Sequence, residues 1–129
     1  MLRNFELDSL SHLIIGVAIQ LHTRLGPGLL ESVYHLILYR ELVNRGLFVE
    51  REKSISFEFG GHWYEGAFVA DLIVERAIVV EVKSVVALHS VFEKQLLTYL
   101  RLTNCKLGLL LNFNTALMRD GIKRVVNNF

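Results

Sequence analysis

The stretch Ala77-Ile78-Val79-Val80-Glu81-Val82-Lys83-Ser84-Val85 decides the fold. It is rich in β-branched residues, which predicts a buried strand inside a sheet. Beyond its start the only charges are Glu81 and Lys83, and residues two apart in a strand point to the same face. Charged side chains are seldom buried unless they are paired. This strand therefore marks a candidate functional site.

The segment just before it, residues 68–74, is a second predicted strand with one charge in mid-run, Asp71. If residues 75–77 form a three-residue turn, Val74 opposes Ile78 and Asp71 lies directly opposite Glu81. Directly opposed residues share a face, with Cβ atoms about 4.5–5.5 Å apart. A two-residue turn would instead put the two carboxylates on opposite faces.

With the longer turn, two carboxylates and the Lys83 ammonium converge on one patch. Close carboxylates repel each other, and burial adds to the cost of their charge. A divalent cation removes the conflict, because Mg²⁺ prefers oxygen ligands from one or two carboxylates, waters and phosphates. The alternative interpretation is a surface ion pair, which is the commoner role of an isolated pair of this kind.

The remaining chain predicts helices and strands around one sheet. Helical periodicity favours helices near residues 10–21, 30–42 and 88–102, the first with Asp8 or Ser9 as N-cap. Alternation over residues 54–59, followed by Gly60-Gly61, predicts a hairpin, and residues 107–113 and 122–126 are predicted as further strands. The predicted fold is α/β, with a mixed sheet flanked by helices, the order α-α-β-β-β-α-β-β, and one domain over residues 1–129.

Composition limits the classes of protein that remain. No apolar run approaches the roughly 20 residues of a membrane helix, and the first residues lack a signal-peptide pattern, so we expect a cytoplasmic protein. The single cysteine, Cys105, excludes an internal disulfide and is expected to be buried. The 52% hydrophobic content and mean hydropathy of +0.38 favour a homo-oligomer, most simply a dimer. A net charge of +1 neither favours nor excludes DNA binding.

Other polar residues are weaker candidates. Gln95 falls on a helical stripe predicted to pack on the sheet, and Glu31 lies in the first turn of the second helix, where the helix dipole alone favours a carboxylate. The histidines show no metal-binding spacing, and Trp63 is expected to pack on the sheet.

The segment Gly28-Leu29-Leu30-Glu31-Ser32-Val33-Tyr34 resembles the signature of the GxxExxY proteins, bacterial domains of the PD-(D/E)XK nuclease superfamily. The resemblance extends from Ile15 to about Asn127. It includes five further segments in the same order: Leu25-Gly26-Pro27-Gly28, Ala70-Asp71-Leu72-Ile73-Val74, Glu81-Val82-Lys83, Gln95-Leu96-Leu97-Thr98-Tyr99-Leu100 and Leu109-Leu110-Leu111-Asn112-Phe113.

This resemblance implies a restriction-endonuclease-like core and a role for each site residue. Asp71 and Glu81 would bind Mg²⁺ or Mn²⁺ together with the Val82 main-chain carbonyl. Lys83 would be the catalytic lysine, with Glu31 completing the acidic site and Gln95 as the accessory polar residue. Ala70 stands where the superfamily name has proline.

Two functions are compatible with the residues and the resemblance. The first is a metal-dependent nuclease that hydrolyses phosphodiesters in nucleic acid, with DNA as the expected substrate. The second is a non-catalytic module that binds nucleic acid or protein and retains the nuclease fold, since one fold hosts many functions.

Overall fold

The structure, a computed structural model, describes residues 4–128, and of Asn4 and Phe5 only the backbone. Within that range the elements are α1 (Asn4–Leu25), α2 (Glu31–Asn44), β1 (Val49–Phe59), β2 (His62–Val74), β3 (Ile78–Lys83), α3 (Ser90–Thr103), β4 (Leu107–Asn112), the 3-10 helix Met118–Gly121 and β5 (Ile122–Val126). The predicted α/β class and order of elements are confirmed. The predicted domain also includes residues 1–3 and 129, which lie outside the described residues.

The strands of residues 4–128 form one mixed sheet in the order β1-β2-β3-β4-β5. Strand β3 pairs antiparallel with β2 and parallel with β4. A parallel pair needs a crossover connection, which α3 supplies. Because β3 has neighbours on both sides and helices over both faces, its residues Ile78–Val82 are all buried. The apolar run around Glu81 is explained by this position.

The two faces of the sheet pack on different helices. One face carries Val80, Val82 and Leu109 against apolar residues of α1 and α2. The other face carries Val79 and Leu110 against α3. No helix within residues 4–128 is long and apolar enough to cross a membrane.

Several predicted boundaries were wrong. Helix α1 begins at Asn4, so Asp8 and Ser9 lie inside the helix and do not cap it. The strand after the turn was predicted over residues 78–86, but β3 ends at Lys83. Trp63 was expected to pack on the sheet, but it is 63% exposed and lines a surface pocket with Leu102 and Cys105.

Gly108 gives a first test of the packing between α3 and the sheet. A Cβ atom at Gly108 would lie 2.8 Å from Leu96 Cγ and Cδ2. Gly108→Ala is therefore expected to lower the free energy of unfolding by about 1–3 kcal/mol, as overpacked cores do, measured by urea denaturation. Gly28→Ala is the matched control, because a Cβ there meets nothing within 4 Å. Equal stability of the two variants would contradict this packing.

Candidate metal centre on the hairpin of strands β2 and β3

Of the two turn lengths considered for the hairpin, the structure has the three-residue turn. Residues 75–77 form the turn, and Val74 pairs with Ile78. Glu75 and Arg76 both adopt left-handed φ angles of 53°, and Ala77 donates its N–H to the Val74 carbonyl at 2.9 Å. The backbone pairing continues to Leu72–Val80, one step before Asp71 and Glu81.

At the next position, hydrogen bonds from the backbone to the two carboxylates take the place of the backbone–backbone hydrogen bonds between β2 and β3. Asp71 donates its N–H to Glu81 Oε2 at 2.8 Å, and Val82 donates its N–H to Asp71 Oδ2 at 2.8 Å. Each carboxylate thus binds the backbone of the opposite strand. Asp71 Oδ1 and Glu81 Oε1 accept no hydrogen bond from the described residues.

Burial makes this pair costly to ionise. Glu81 is only 6% exposed, and burial together with the Asp71 charge raises its pKa from 4.5 to about 8. Burial also raises the pKa of Asp71, an effect that the Val82 N–H, His35 and Lys83 reduce without cancelling. The positive charge near the site is therefore too small to keep both carboxyl groups at their ordinary pKa values.

The Lys83 ammonium lies over the aromatic ring of Phe92, with Nζ 4.8 Å from the ring centroid. Such a cation–π contact contributes about 0.5–2 kcal/mol, depending on exposure. Phe92 belongs to the first turn of α3, so the helix after β3 positions the lysine side chain. Lys83 is half-buried, and its charge acts to lower the pKa of both Asp71 and Glu81.

Glu31 joins the site from α2. Its Oε2 atom accepts the N–H of Ser84 at 3.2 Å, which ties the start of α2 to the residue after Lys83. Glu31 and Asp71 also line one surface pocket of ≈ 500 Å³. The predicted contribution of Glu31 to the acidic patch is therefore compatible with its position.

Asn112, at the end of β4, holds the loop that follows Lys83. Its carboxamide accepts the Val85 N–H at 3.1 Å and donates to the Val85 carbonyl at 3.0 Å. Phe113 donates its N–H to the Lys83 carbonyl at 2.9 Å. Because Asn112 is buried, these bonds are shielded from water and fix the end of β3.

Sequence reasoning missed three side chains beside the pair. His35 is 6% exposed, its Nε2 has no partner among the described residues, and it lines the pocket with Asp71. Glu52 lines the same pocket from β1, where its φ of 51° interrupts the strand opposite Asp71. Phe92 supports Lys83. The spacing of Glu31 and His35, four residues apart on one helix, was a usable signal.

The remaining predicted residues are placed differently. Val82 is buried and contributes its N–H to Asp71, while a role for its carbonyl stays a prediction. Gln95 is exposed, so its expected packing on the sheet was wrong. The buried face of α3 consists of Leu96 and Leu100, one position further along the helix. The accessory role of Gln95 stays a prediction.

Tyr34 of the resembling segment lies in the core. Its hydroxyl donates to the Gly26 carbonyl and accepts the Leu29 N–H at 3.0 Å. Its ring stacks on Phe113 with centroids 4.5 Å apart. Tyr34 therefore closes the loop that leads into Glu31.

Tyr34→Phe is expected to lower the free energy of unfolding by about 1–2 kcal/mol, because both hydrogen bonds of the buried hydroxyl are lost. Chemical denaturation measures this loss. Tyr64→Phe, at a 46% exposed tyrosine, is the matched control. A loss of similar size in the control would show that the buried hydroxyl is not responsible.

The donor set fits a divalent cation. Two buried carboxylates share one patch, and each keeps an oxygen without a hydrogen bond. Among the described residues, no three His, Cys, Asp or Glu side chains lie close enough to bind an ion by themselves. Mg²⁺ commonly takes one or two carboxylates and completes its shell with water and phosphate oxygens, so the pair satisfies this requirement.

The comparison with known families agrees with this geometry. The family model of the PD-(D/E)XK nuclease superfamily matches residues 8–125, which include β2, β3, α3 and β4. No curated protein and no solved structure gave a significant match. The chain belongs to the PD-(D/E)XK nuclease superfamily.

Proposed function

We propose that this protein is a metal-dependent nuclease that hydrolyses phosphodiester bonds in nucleic acid, with DNA as the substrate and Mg²⁺ or Mn²⁺ as the cofactor. One observation supports this proposal most strongly. The Asp71 and Glu81 carboxylates each accept a backbone N–H of the opposite strand at 2.8 Å, beside Lys83. The superfamily match supports nuclease activity in general. The finer assignment to the GxxExxY proteins rests on the segment around Glu31 and Tyr34.

The positions of the residues suggest their roles. A divalent cation at this site would polarise the phosphate and lower the pKa of a bound water. Asp71 and Glu81 would hold the cation, since each has a carboxylate oxygen that accepts no hydrogen bond from the described residues. Lys83 reaches the site from the same face of β3 and positions the attacking water or stabilises charge on the phosphate. Glu31 anchors the backbone after Lys83 through Ser84.

Substrate hydrolysis on a panel of nucleic acids tests the proposal. Linear, nicked, branched and single-stranded DNA and RNA are incubated with purified protein in Mg²⁺, Mn²⁺ or EDTA. We expect cleavage of at least one DNA substrate that EDTA abolishes. Absence of cleavage on every substrate in both metals would contradict the proposed function.

A binding module without catalysis is the second candidate. The net charge of +1 is compatible with a module that binds protein, because proteins that bind the phosphate backbone usually carry a basic excess. In that case the same DNA panel would show neither products nor binding, the latter measured by fluorescence anisotropy. The presence of the Asp71–Glu81 pair beside Lys83 favours the nuclease over this second candidate.

A further inference from the structure

The buried imidazole of His35 has a nitrogen atom that makes no hydrogen bond to the protein. His35 belongs to the buried side of α2, yet its Nε2 atom has no partner among residues 4–128. A buried polar atom without a hydrogen bond costs free energy, so most such atoms in folded proteins bond to protein or to ordered water. The Nε2 atom of His22, which is equally buried, bonds to the Thr115 carbonyl oxygen at 2.8 Å. His35 therefore requires a partner of a different kind.

The surroundings of His35 indicate what this partner is. The pocket of ≈ 500 Å³ that His35 lines has polar side chains at every lining position except Val69: Glu31, Ser32, His35, Glu52 and Asp71. A roomy pocket with several polar groups is the kind of place that holds ordered water.

His35 also acts on the Asp71 carboxylate. Burial raises the pKa of Asp71, whereas the Val82 N–H, His35 and Lys83 lower it. The effect of His35 is larger than that of Lys83. His35 therefore lies near the carboxylate that is proposed to bind the cation.

The geometry disfavours His35 as a direct ligand of that cation. In the part of the chain that the structure describes, no three His, Cys, Asp or Glu side chains lie close enough to bind one ion. Mg²⁺ usually keeps several waters and binds through one or two carboxylates. Imidazole nitrogen is a better ligand for zinc, copper and nickel. A water of the cation's shell is thus the group that joins His35 to the ion.

We propose that His35 is a positioning residue whose Nε2 atom accepts a hydrogen bond from a water bound to the cation at Asp71 and Glu81. This inference rests on the proposed metal-dependent function. A neutral imidazole can accept at Nε2 when its ring proton is on Nδ1. The bond gives the buried Nε2 atom its partner and fixes one water of the shell.

His35 and Lys83 approach the carboxylate pair from different helices. His35 belongs to α2, whereas Lys83 is supported by Phe92 of α3. The two helices pack on opposite faces of the sheet. His35 therefore contributes to the binding of the metal, and Lys83 contributes to the reaction at the phosphate.

Replacement of His35 by Leu is expected to change stability and metal binding in different directions. Leucine is apolar and of similar size, so it removes the buried atom that lacks a hydrogen bond. In EDTA the stability of His35→Leu is therefore expected to equal or exceed that of wild type. Hydrogen-bonding groups around a metal typically contribute 10–100-fold to its affinity, so the Mn²⁺ dissociation constant is expected to rise at least about tenfold.

Two further variants separate this role from simple packing. His35→Gln has a side-chain amide that can reach the place of Nε2, so it is expected to restore most of the Mn²⁺ affinity. His22→Leu is the matched control, because it removes an equally buried imidazole that bonds to Thr115. This control is expected to lose stability in EDTA and to keep the Mn²⁺ affinity of wild type.

Electron paramagnetic resonance of free Mn²⁺ measures the dissociation constant on the full chain without nucleic acid, and urea denaturation in EDTA measures stability. Because this readout needs no cleavage, it separates the two proposals. Mn²⁺ binding that weakens in His35→Leu supports the role of His35 even if the protein cleaves no substrate. Absence of Mn²⁺ binding by wild type would instead overturn the metal site itself, and with it the role of His35.

Three other results would overturn the inference. His35→Leu could bind Mn²⁺ as tightly as wild type, or its affinity could fall only as much as that of His22→Leu. In the third, electron spin echo modulation of wild type would show a nitrogen nucleus coupled directly to Mn²⁺, and His35→Leu would lose that coupling. His35 would then be a ligand of the metal rather than a partner of its water. Far-ultraviolet circular dichroism of each variant checks that the fold is intact.

Discussion

Replacement of Lys83 by Met is expected to lower the rate of metal-dependent cleavage by about 10²–10⁴-fold, the usual contribution of a positioned acid–base group. Methionine keeps an unbranched stem over the Phe92 ring but removes the ammonium. Single-turnover cleavage at saturating protein measures the rate. The loss is expected in the rate constant, because Lys83 acts beside the reacting phosphate.

Lys94→Met is the matched control for this experiment. Lys94 is exposed on α3, and its replacement removes the same charge from the protein. The control is expected to retain cleavage within about threefold, the size of a surface electrostatic effect. A Lys83→Met protein that cleaves as fast as the Lys94→Met protein would show that this lysine has no catalytic role.

In EDTA, the free energy of unfolding is expected to fall as the pH rises from about 4.5 to about 8. Glu81 has a pKa of about 8 in the folded chain against an ordinary value of 4.5. Between these values the unfolded chain has lost the proton that the folded chain keeps, so rising pH favours unfolding. One pKa unit is worth about 1.4 kcal/mol, so the loss is of the order of 3–5 kcal/mol. The raised pKa of Asp71 acts in the same direction.

Glu81→Gln separates this contribution from the remaining titration. The glutamine carbonyl can still accept the Asp71 N–H, but it carries no titrating proton. The pH-dependence of urea unfolding is therefore expected to be flatter in the variant. Addition of Mg²⁺ at pH 8 is expected to stabilise wild type more than the variant. The same slope in both proteins would show that Glu81 is not a costly buried carboxylate.

Strand geometry reduced the hairpin register to a choice between two turn lengths. A side-chain period of two puts Asp71 and Glu81 on one face only with the three-residue turn, and the structure has that turn. The apolar run of β3 likewise predicted a strand covered on both faces. The element order could be predicted from the change between helical and alternating periodicity at residues 46–54.

Other features depend on contacts that periodicity does not contain. Gln95 and Leu96 are neighbours on α3, and the sheet decides which of them is buried. Trp63 is apolar, but its place in the β1–β2 hairpin leaves it 63% exposed. His35 lies beside Asp71 only because α2 packs across the strands. Tertiary packing, rather than local preference, fixes all three.

The most direct test of the central claim is cleavage by wild type and Asp71→Asn across one Mn²⁺ titration. Asparagine keeps the oxygen that accepts the Val82 N–H and removes the charge that would bind the cation. Wild-type cleavage is expected to rise and saturate with Mn²⁺, while the variant stays at the EDTA background at every concentration. Cleavage by Asp71→Asn with the same Mn²⁺ dependence as wild type would contradict a catalytic metal held by Asp71 and Glu81.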